Sequence, residues 1–309
     1  MLQRTEYASR GKIRRGCFQE MIAFRQSGKA AVVTLTVLFI VVLKANAGPP
    51  FQTDDPEPVD FRHYEFYAFG NASGTGIEMD TAGPAIEFNW GILPNTQFHI
   101  VIPAASIMPS NNMNYLPAGA GPSAFGVGDI EIGVKYRFLE ETKHRPMVGI
   151  FPMIEAPSGN SNTGLGVGKT WTKLPMWAQK SFGPWTTYGG VGEEIVPQTG
   201  YKNFAYGGWL VQRDIGKKWT LGTEVFSHGG EGLATPQIRG ATLVDLGGYY
   251  YIRNPGFQIL FCYGHSVAGL PETYAYSGLY WTWGNSRSDA KADKSLRNKM
   301  HLPEVHRLR

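Results

Sequence analysis

The stretch Val127–Leu139, VGDIEIGVKYRFL, decides how the rest of the chain is read. Gly128, Ile130, Ile132, Val134, Tyr136 and Phe138 take its even positions, while Asp129, Glu131, Lys135 and Arg137 fall on odd ones. Side chains alternate between the faces of a strand, so this spacing puts the large apolar groups on one face and every charge on the other. Weaker alternation recurs at Gln97–Ile102, Trp219–Phe226, Thr242–Ile252 and Phe257–His265, and no helical period is sustained between residues 48 and 283. The pattern predicts twelve strands, at 61–70, 83–90, 97–103, 127–139, 146–156, 173–182, 185–194, 203–213, 218–228, 242–252, 257–265 and 273–283.

The connections between these strands alternate in length. Long Gly-, Asn-, Ser- and Pro-rich gaps are expected at 71–82, 104–126, 157–172, 195–202, 229–241 and 266–272, with mostly short ones between them, such as Gly183-Pro184 and Arg253–Gly256. Long loops at one end and tight turns at the other are the pattern of a transmembrane β-barrel. An all-β, antiparallel outer-membrane barrel of about twelve strands is therefore the expected fold, occupying residues 61–283. In such a barrel Asp129, Glu131, Lys135 and Arg137 would line the lumen, and Tyr249, Tyr251, Trp281 and Trp283 would sit at the membrane interfaces. A soluble antiparallel sheet with one wet face would explain a single strand equally well, but it does not call for the loop alternation.

Composition and charge agree. Of 309 residues 42% are hydrophobic, 13% aromatic and 39 are glycine, but only 17% are charged, against about 25% in an ordinary soluble domain. That balance excludes a disordered or nucleic-acid-binding chain. The net charge of +4 is unevenly spread. Residues 1–47 carry eight Lys/Arg against two acids, residues 48–283 carry 14 against 20, and the remainder seven against three. A basic stretch runs into AAVVTLTVLFIVVL (Ala30–Leu43) and then Ala45-Asn46-Ala47, which reads as a signal peptide cleaved before Gly48. Met21 is the expected true start, because the stretch before it is unusually long for a signal. Residues 48–60 form a Pro/Asp-rich lead segment, Asp54, Asp55, Glu57 and Asp60 among Pro56 and Pro58, that could lie in the periplasm or fold back as a plug. Residues 284–309 read as a disordered basic tail. Cys17 and Cys262 allow neither a disulfide framework nor a metal cluster.

Four strings carry a resemblance: GPPFQTDDPEPVDFRHYEFYAF at Gly48, VGDIEIGVKYRFLEE at Val127, PMVGIFPMIEAPSG at Pro146 and LPMWAQKSFGPWTTYGG at Leu174. Together they resemble the outer-membrane family labelled as a putative MetA pathway of phenol degradation, across roughly residues 48–283. The resemblance implies a Gram-negative outer-membrane barrel named as a transporter; phenol degradation is the family's inherited label. YSGLYWTW at 276–283 is also similar to the carboxy-terminal assembly signal of bacterial barrels, although 26 residues follow it here.

Chemistry-bearing residues are few. His63, His99, His228 and His265 read as polar rim residues. Ser227-His228 and His265-Ser266 are adjacent on strands, so their side chains point to opposite faces and cannot form a nucleophile–base hydrogen bond. GLGVGKT (Gly164–Thr170) has Thr163 where a phosphate-binding loop needs glycine, and reads as an external loop. Glu155 with Asp129 and Glu131, or Glu193 with Glu194, would be lumenal charges rather than a cation site. The function read from the sequence is passive passage of small, hydrophobic or aromatic solutes, with no cofactor, metal or catalytic residue. The 104–126 loop is a candidate lid or constriction. Expected partners are outer-membrane lipid, the barrel-assembly machinery and a small permeant, and no nucleic acid. The alternatives are a barrel-wall hydrolase of lipase or deacylase type, and a closed structural barrel. Amino-terminal sequencing of the exported protein should begin at Gly48; a sequence starting within residues 1–47 would show that the segment is retained.

Overall fold

A computed structural model describes residues 50–76, 78–109, 123–230, 239–253, 256–284, 286–300 and 302. The expected signal peptide, most of the candidate lid and the last residues of the tail lie outside them. Fifteen strand segments follow in order: β1 (His63–Thr75), β2 (Glu78–Leu93), β3 (Thr96–Pro109), β4 (Ala124–Val127), β5 (Ile130–Leu139), β6 (Met147–Ile150), β7 (Met153–Ala156), β8 (Trp171–Lys173), β9 (Met176–Phe182), β10 (Trp185–Ile195), β11 (Phe204–Ile215), β12 (Trp219–His228), β13 (Ala241–Arg253), β14 (Phe257–Gly269) and β15 (Glu272–Gly284). Paired end to end, β4 with β5, β6 with β7 and β8 with β9 each make one stave, so the sheet is a closed antiparallel barrel of twelve. Each stave hydrogen-bonds to its sequence neighbours, and β1 closes on β15 in register from His63↔Gly284 to Thr75↔Glu272.

The strand breaks have sequence causes. Gly128-Asp129 interrupts the fourth stave, Phe151-Pro152 the fifth and Leu174-Pro175 the sixth. Proline has no N–H to give a ladder. The neighbouring chain uses the proline carbonyls instead: Val134 donates to Pro152 O (3.1 Å) and Phe151 to Pro175 O (3.1 Å). Three adjacent staves are thus irregular, the fifth and sixth at one level and the fourth nearer the long loops, where the alternation pattern predicts unbroken strands.

The loop alternation holds in part. Short connections join β2 to β3, β9 to β10, β11 to β12 and β13 to β14, and longer ones follow β3, β7, β10 and β12. The expected long gap at 71–82 is corrected: β1 and β2 continue to a tight hairpin, with Asn71↔Ala82 and Gly74↔Met79 in register. The gap at 266–272 likewise shrinks to Leu270-Pro271, because β14 and β15 run on. The residues expected to be disordered at 286–300 instead form helix α1 (Ser286–Met300). Its hold on the barrel is polar: Arg297 is buried and donates to Glu140 Oε1 (2.6 Å) and Asn95 Oδ1 (2.7 Å) at the short-turn end. An apolar-periodicity search cannot register such an attachment.

The outer surface is apolar. Ile132, Val134, Tyr136 and Phe138 are exposed on β5 while Glu131, Lys135 and Arg137 are buried between them. Val225, Val244 and Leu246 continue the exposed apolar face. In water this arrangement would be upside down; around a closed sheet in lipid it satisfies every backbone donor and covers the outside with hydrocarbon. Leu246 lies near the middle of β13 on this face. Leu246→Arg should therefore destabilise the barrel by about 2–4 kcal/mol in lipid vesicles, measured by denaturant titration of refolded protein; a change within experimental error would show that this face does not meet hydrocarbon.

Candidate functional site: the barrel interior

The lead segment lies inside the barrel. The backbone N–H groups of Gln52 and Thr53 donate to the two carboxylate oxygens of Glu224 on β12, at 3.0 Å for Gln52, and Gln52 Nε2 donates to Asp245 Oδ2 on β13 (3.1 Å). Further along, Lys135 Nζ on β5 bonds Asp54 Oδ1 at 2.9 Å and lies 3.7 Å from Asp55. Gln179 on β9 donates to Glu57 (3.3 Å), and Val59 N donates to Gln97 on β3 (2.9 Å). Phe51 is fully buried and packs in the cluster of inner-face residues that includes Tyr188 and Leu210. The structure thus decides between the two placements the sequence left open: the segment is a plug.

Glycine on the wall makes room for it. A Cβ on Gly91 would lie 2.0 Å from the Asp60 carbonyl oxygen, and one on Gly208 would lie 2.0 Å from Thr53 Oγ1. These inward positions therefore admit the plug backbone only because they carry no side chain.

Above the plug, a polar ladder runs along the inner wall over five neighbouring staves. His99 on β3 is 1% exposed; its Nε2 contacts Glu131 Oε1 (2.8 Å) and its Nδ1 contacts Asn89 Oδ1 (2.7 Å). Lys173 on β8 bonds Glu131 at 2.7 Å and Glu155 at 2.8 Å. Glu131 and Glu155 stand opposite each other across β5 and β7, and the ammonium between them offsets their repulsion. Phe151 stands edge-on to His99 at 5.0 Å and beneath Lys135 Nζ at 4.9 Å. Arg137 donates to Asn95 Oδ1 (2.7 Å) and lies 3.9 Å from Glu140.

The interior residues leave two chambers. One, of about 610 Å³ toward the short turns, is lined by the lead segment and by Glu65, Lys135, Arg137 and five tyrosines: Tyr67, Tyr188, Tyr249, Tyr251 and Tyr280. The other, of about 380 Å³ toward the long loops, is lined by Glu131, Glu155, Lys173, Tyr206, His228 and Glu272 among others. Glu87 borders both. Burial pushes the Asp55 carboxyl in the lead segment up to about 6 against the opposing pull of Lys135.

Several sequence assignments change. Asp129 borders the smaller chamber from the break between β4 and β5, where it also organises a loop: Oδ1 accepts from Gly159 N (2.9 Å) and Oδ2 from Val167 N (3.0 Å). Gly164–Thr170 belongs to that loop, not to a phosphate site. Tyr249 and Tyr251 are interior, since strict alternation along β13 sends Leu243, Asp245, Tyr249 and Tyr251 inward and Val244, Leu246 and Ile252 outward. Trp281 and Trp283 share the outer face of β15 with Leu279, and Trp283 stacks on Tyr64 at 5.6 Å. His99 is a mid-lumen residue rather than a rim one. His228 meets Glu272 (3.0 Å) and the Gly229 carbonyl (2.8 Å), whereas Ser227 Oγ bonds Thr242 (3.0 Å). His265 meets Thr273 (2.8 Å), and Ser266 accepts from Glu272 N (2.9 Å). Glu224, Asp245 and Lys173 carry the interior and were not singled out by sequence, because each is one polar residue in an otherwise apolar run. Their only signal is the odd–even phase of the strand.

No family model matches the chain, and no curated protein matches it. Among solved structures, the COG4313 outer membrane channel from Pseudomonas putida F1 aligns with a TM-score of 0.62 at 12% identity, covering 77% of this chain and 100% of that one. The NanC porin aligns with a TM-score of 0.47 at 9% identity, over 70% and 98% of the two chains, and the CymD monoaromatic hydrocarbon channel with 0.37 at 9%, over 74% and 89%.

The Glu224 latch is testable. A hydrogen bond contributes about 0.5–1.5 kcal/mol, so Glu224→Ala, which removes two, should shift the plug toward release by roughly five- to a hundredfold. Limited proteolysis should then cut within residues 50–60 in folded protein, with Glu224→Gln intermediate. A segment as protected in Glu224→Ala as in the parent would refute the latch. In the likeness to the Pseudomonas channel, only the fold is shared ground: this chain is a twelve-stranded barrel of the outer-membrane kind.

Proposed function

We propose that the protein is a passive outer-membrane channel for small solutes, with its lead segment as the internal constriction. The observation that carries this reading is the pair of chambers, each lined by charged side chains, within a closed, apolar-sided barrel, with a plug between them held by hydrogen bonds, an ion pair and the packing of Phe51. A polar lumen serves solutes that must leave water and return to it. In this reading residues 1–47 direct export, the barrel-assembly machinery inserts the chain, and Trp281 and Trp283 meet the lipid interface. The tyrosine wall of the larger chamber supports aromatic permeants, in keeping with the resemblance of the mature chain to a transporter family and its fold likeness to a channel. Glu131, Lys135 and Arg137 supply charges across the path, Lys135 and Arg137 beside the larger chamber and Glu131 beside the smaller.

A closed structural barrel is the second reading, favoured by the full burial of Phe51, Thr53 and Glu224 at the waist. Planar-bilayer recordings of refolded protein beginning at Gly48 separate the two. A channel should conduct, and deletion of residues 48–60 should raise the conductance severalfold. Silence in both proteins, with no solute flux into liposomes, would select the structural barrel. Lys135→Glu together with Arg137→Glu should shift ion selectivity toward cations; unchanged selectivity would remove both residues from the path.

A further inference from the structure

The larger chamber is lined by more carboxyl groups than bases. Lys135 is the ammonium within it, and Asp54 at 2.9 Å and Asp55 at 3.7 Å already share that charge. Arg137 lies at the short-turn rim, donating to Asn95 and sharing Glu140 with Arg297. Glu65 on β1 is held differently: Tyr280 donates to its Oε1 (2.7 Å) and Tyr67 to its Oε2 (3.1 Å). Asp55 lines the same chamber as Glu65, Tyr188 and Tyr249. One wall is therefore a carboxylate set in tyrosines, and the plug brings a second carboxylate to face it.

The tyrosines form a surface as well as a set of donors. Tyr67 and Tyr280 pack at a centroid distance of 4.7 Å, and both lie against the cluster that holds Tyr188, with Tyr249 beside them. An aromatic face and a carboxylate attract the same partner, a cation with a weakly hydrated body. A neutral aromatic would gain the stacking alone, and an anion would meet Asp55 and Glu65. Among the described residues no three His, Cys, Asp or Glu side chains converge as a metal cage, so a dehydrated metal ion is poorly matched. The volume of about 610 Å³ is in the range of small-molecule sites.

We infer that the larger chamber is a binding site for organic cations: protonated or quaternary amines with an aromatic or short alkyl body. The inference deepens the channel reading and rests on it for the entry of such solutes, but binding is measurable without permeation. The plug is half of the site, so a segment that narrows the pore also selects what the pore holds.

The test is calorimetry on refolded protein beginning at Gly48 in detergent, with benzyltrimethylammonium, benzyl alcohol and benzoate as probes. Benzyltrimethylammonium should bind saturably and about tenfold or more tighter than benzyl alcohol, and benzoate should not bind. Glu65→Gln should weaken the cation severalfold while leaving benzyl alcohol nearly unchanged, and Tyr249→Leu should weaken both, the cation more. Should those wall variants fail to fold, Asp55→Asn, which lies in the plug and outside every strand, should weaken the cation in the same sense. Equal affinity for the cation and the alcohol, or no cation binding to the parent, would overturn the proposal and show that protons balance the chamber's charge. Binding without conductance would leave the site standing and overturn the channel; conductance without binding would do the reverse.

Discussion

Closure of the sheet is the constraint on which everything else in this molecule depends. A strand in hydrocarbon has no water to satisfy its N–H and C=O groups, so each must pair with a neighbour and the last strand must find the first. Here β1 and β15 meet over their full length. Once the sheet is closed, the outer face is fixed as apolar and the inner face encloses a volume that lipid cannot fill. The interior has to be stabilised from within the chain.

This protein meets that requirement with polar side chains in pairs and with its own amino-terminal segment. Lys173 lies between Glu131 and Glu155, His99 between Asn89 and Glu131, and Lys135 against the plug. Breaking such a buried pair on one side leaves a charge without compensation, which costs more than the pair contributes. These contacts consequently act more as fasteners of one arrangement than as sources of stability. The plug differs from the wall in kind: it reaches the wall through Glu224, Asp245, Lys135, Gln179 and Gln97, at positions where Gly91 and Gly208 admit its backbone. The segment is held by side chains of the wall and by the packing of Phe51, and it forms no rung of the closed sheet.

Strand phase was the most legible feature of the sequence. It separated Ile132, Val134 and Phe138 from Glu131, Lys135 and Arg137 because period-2 alternation is a local property. The same rule, applied at Tyr249 and Tyr251, would have put them inside; their closeness to a turn suggested an interface, but the phase of β13 overrides position along the strand. Asp129 keeps the parity of β5 and borders the smaller chamber, but Gly128 and Asp129 interrupt the strand, and its carboxylate is engaged by the backbone of a loop that no strand pattern announces. The hairpin that replaces the 71–82 loop was hidden because Asn, Ser and Gly read as loop even when inter-strand pairing makes them strand, as at Asn71↔Ala82.

By itself the sequence determined the class of the protein: alternation, sparse charge and abundant glycine specify strands with one apolar and one polar face, and these properties are carried by neighbours along the chain. Tertiary structure alone decided what fills the barrel. The partners of Gln52, Thr53 and Asp54 are Glu224 and Lys135, with Glu224 lying 172 and 171 residues from the first two and Lys135 81 from the last. Separations of that size leave no local pattern; only closure of the sheet brings β5, β12 and β13 around one space, and only then can the acidic lead segment find the donors and acceptors that hold it there.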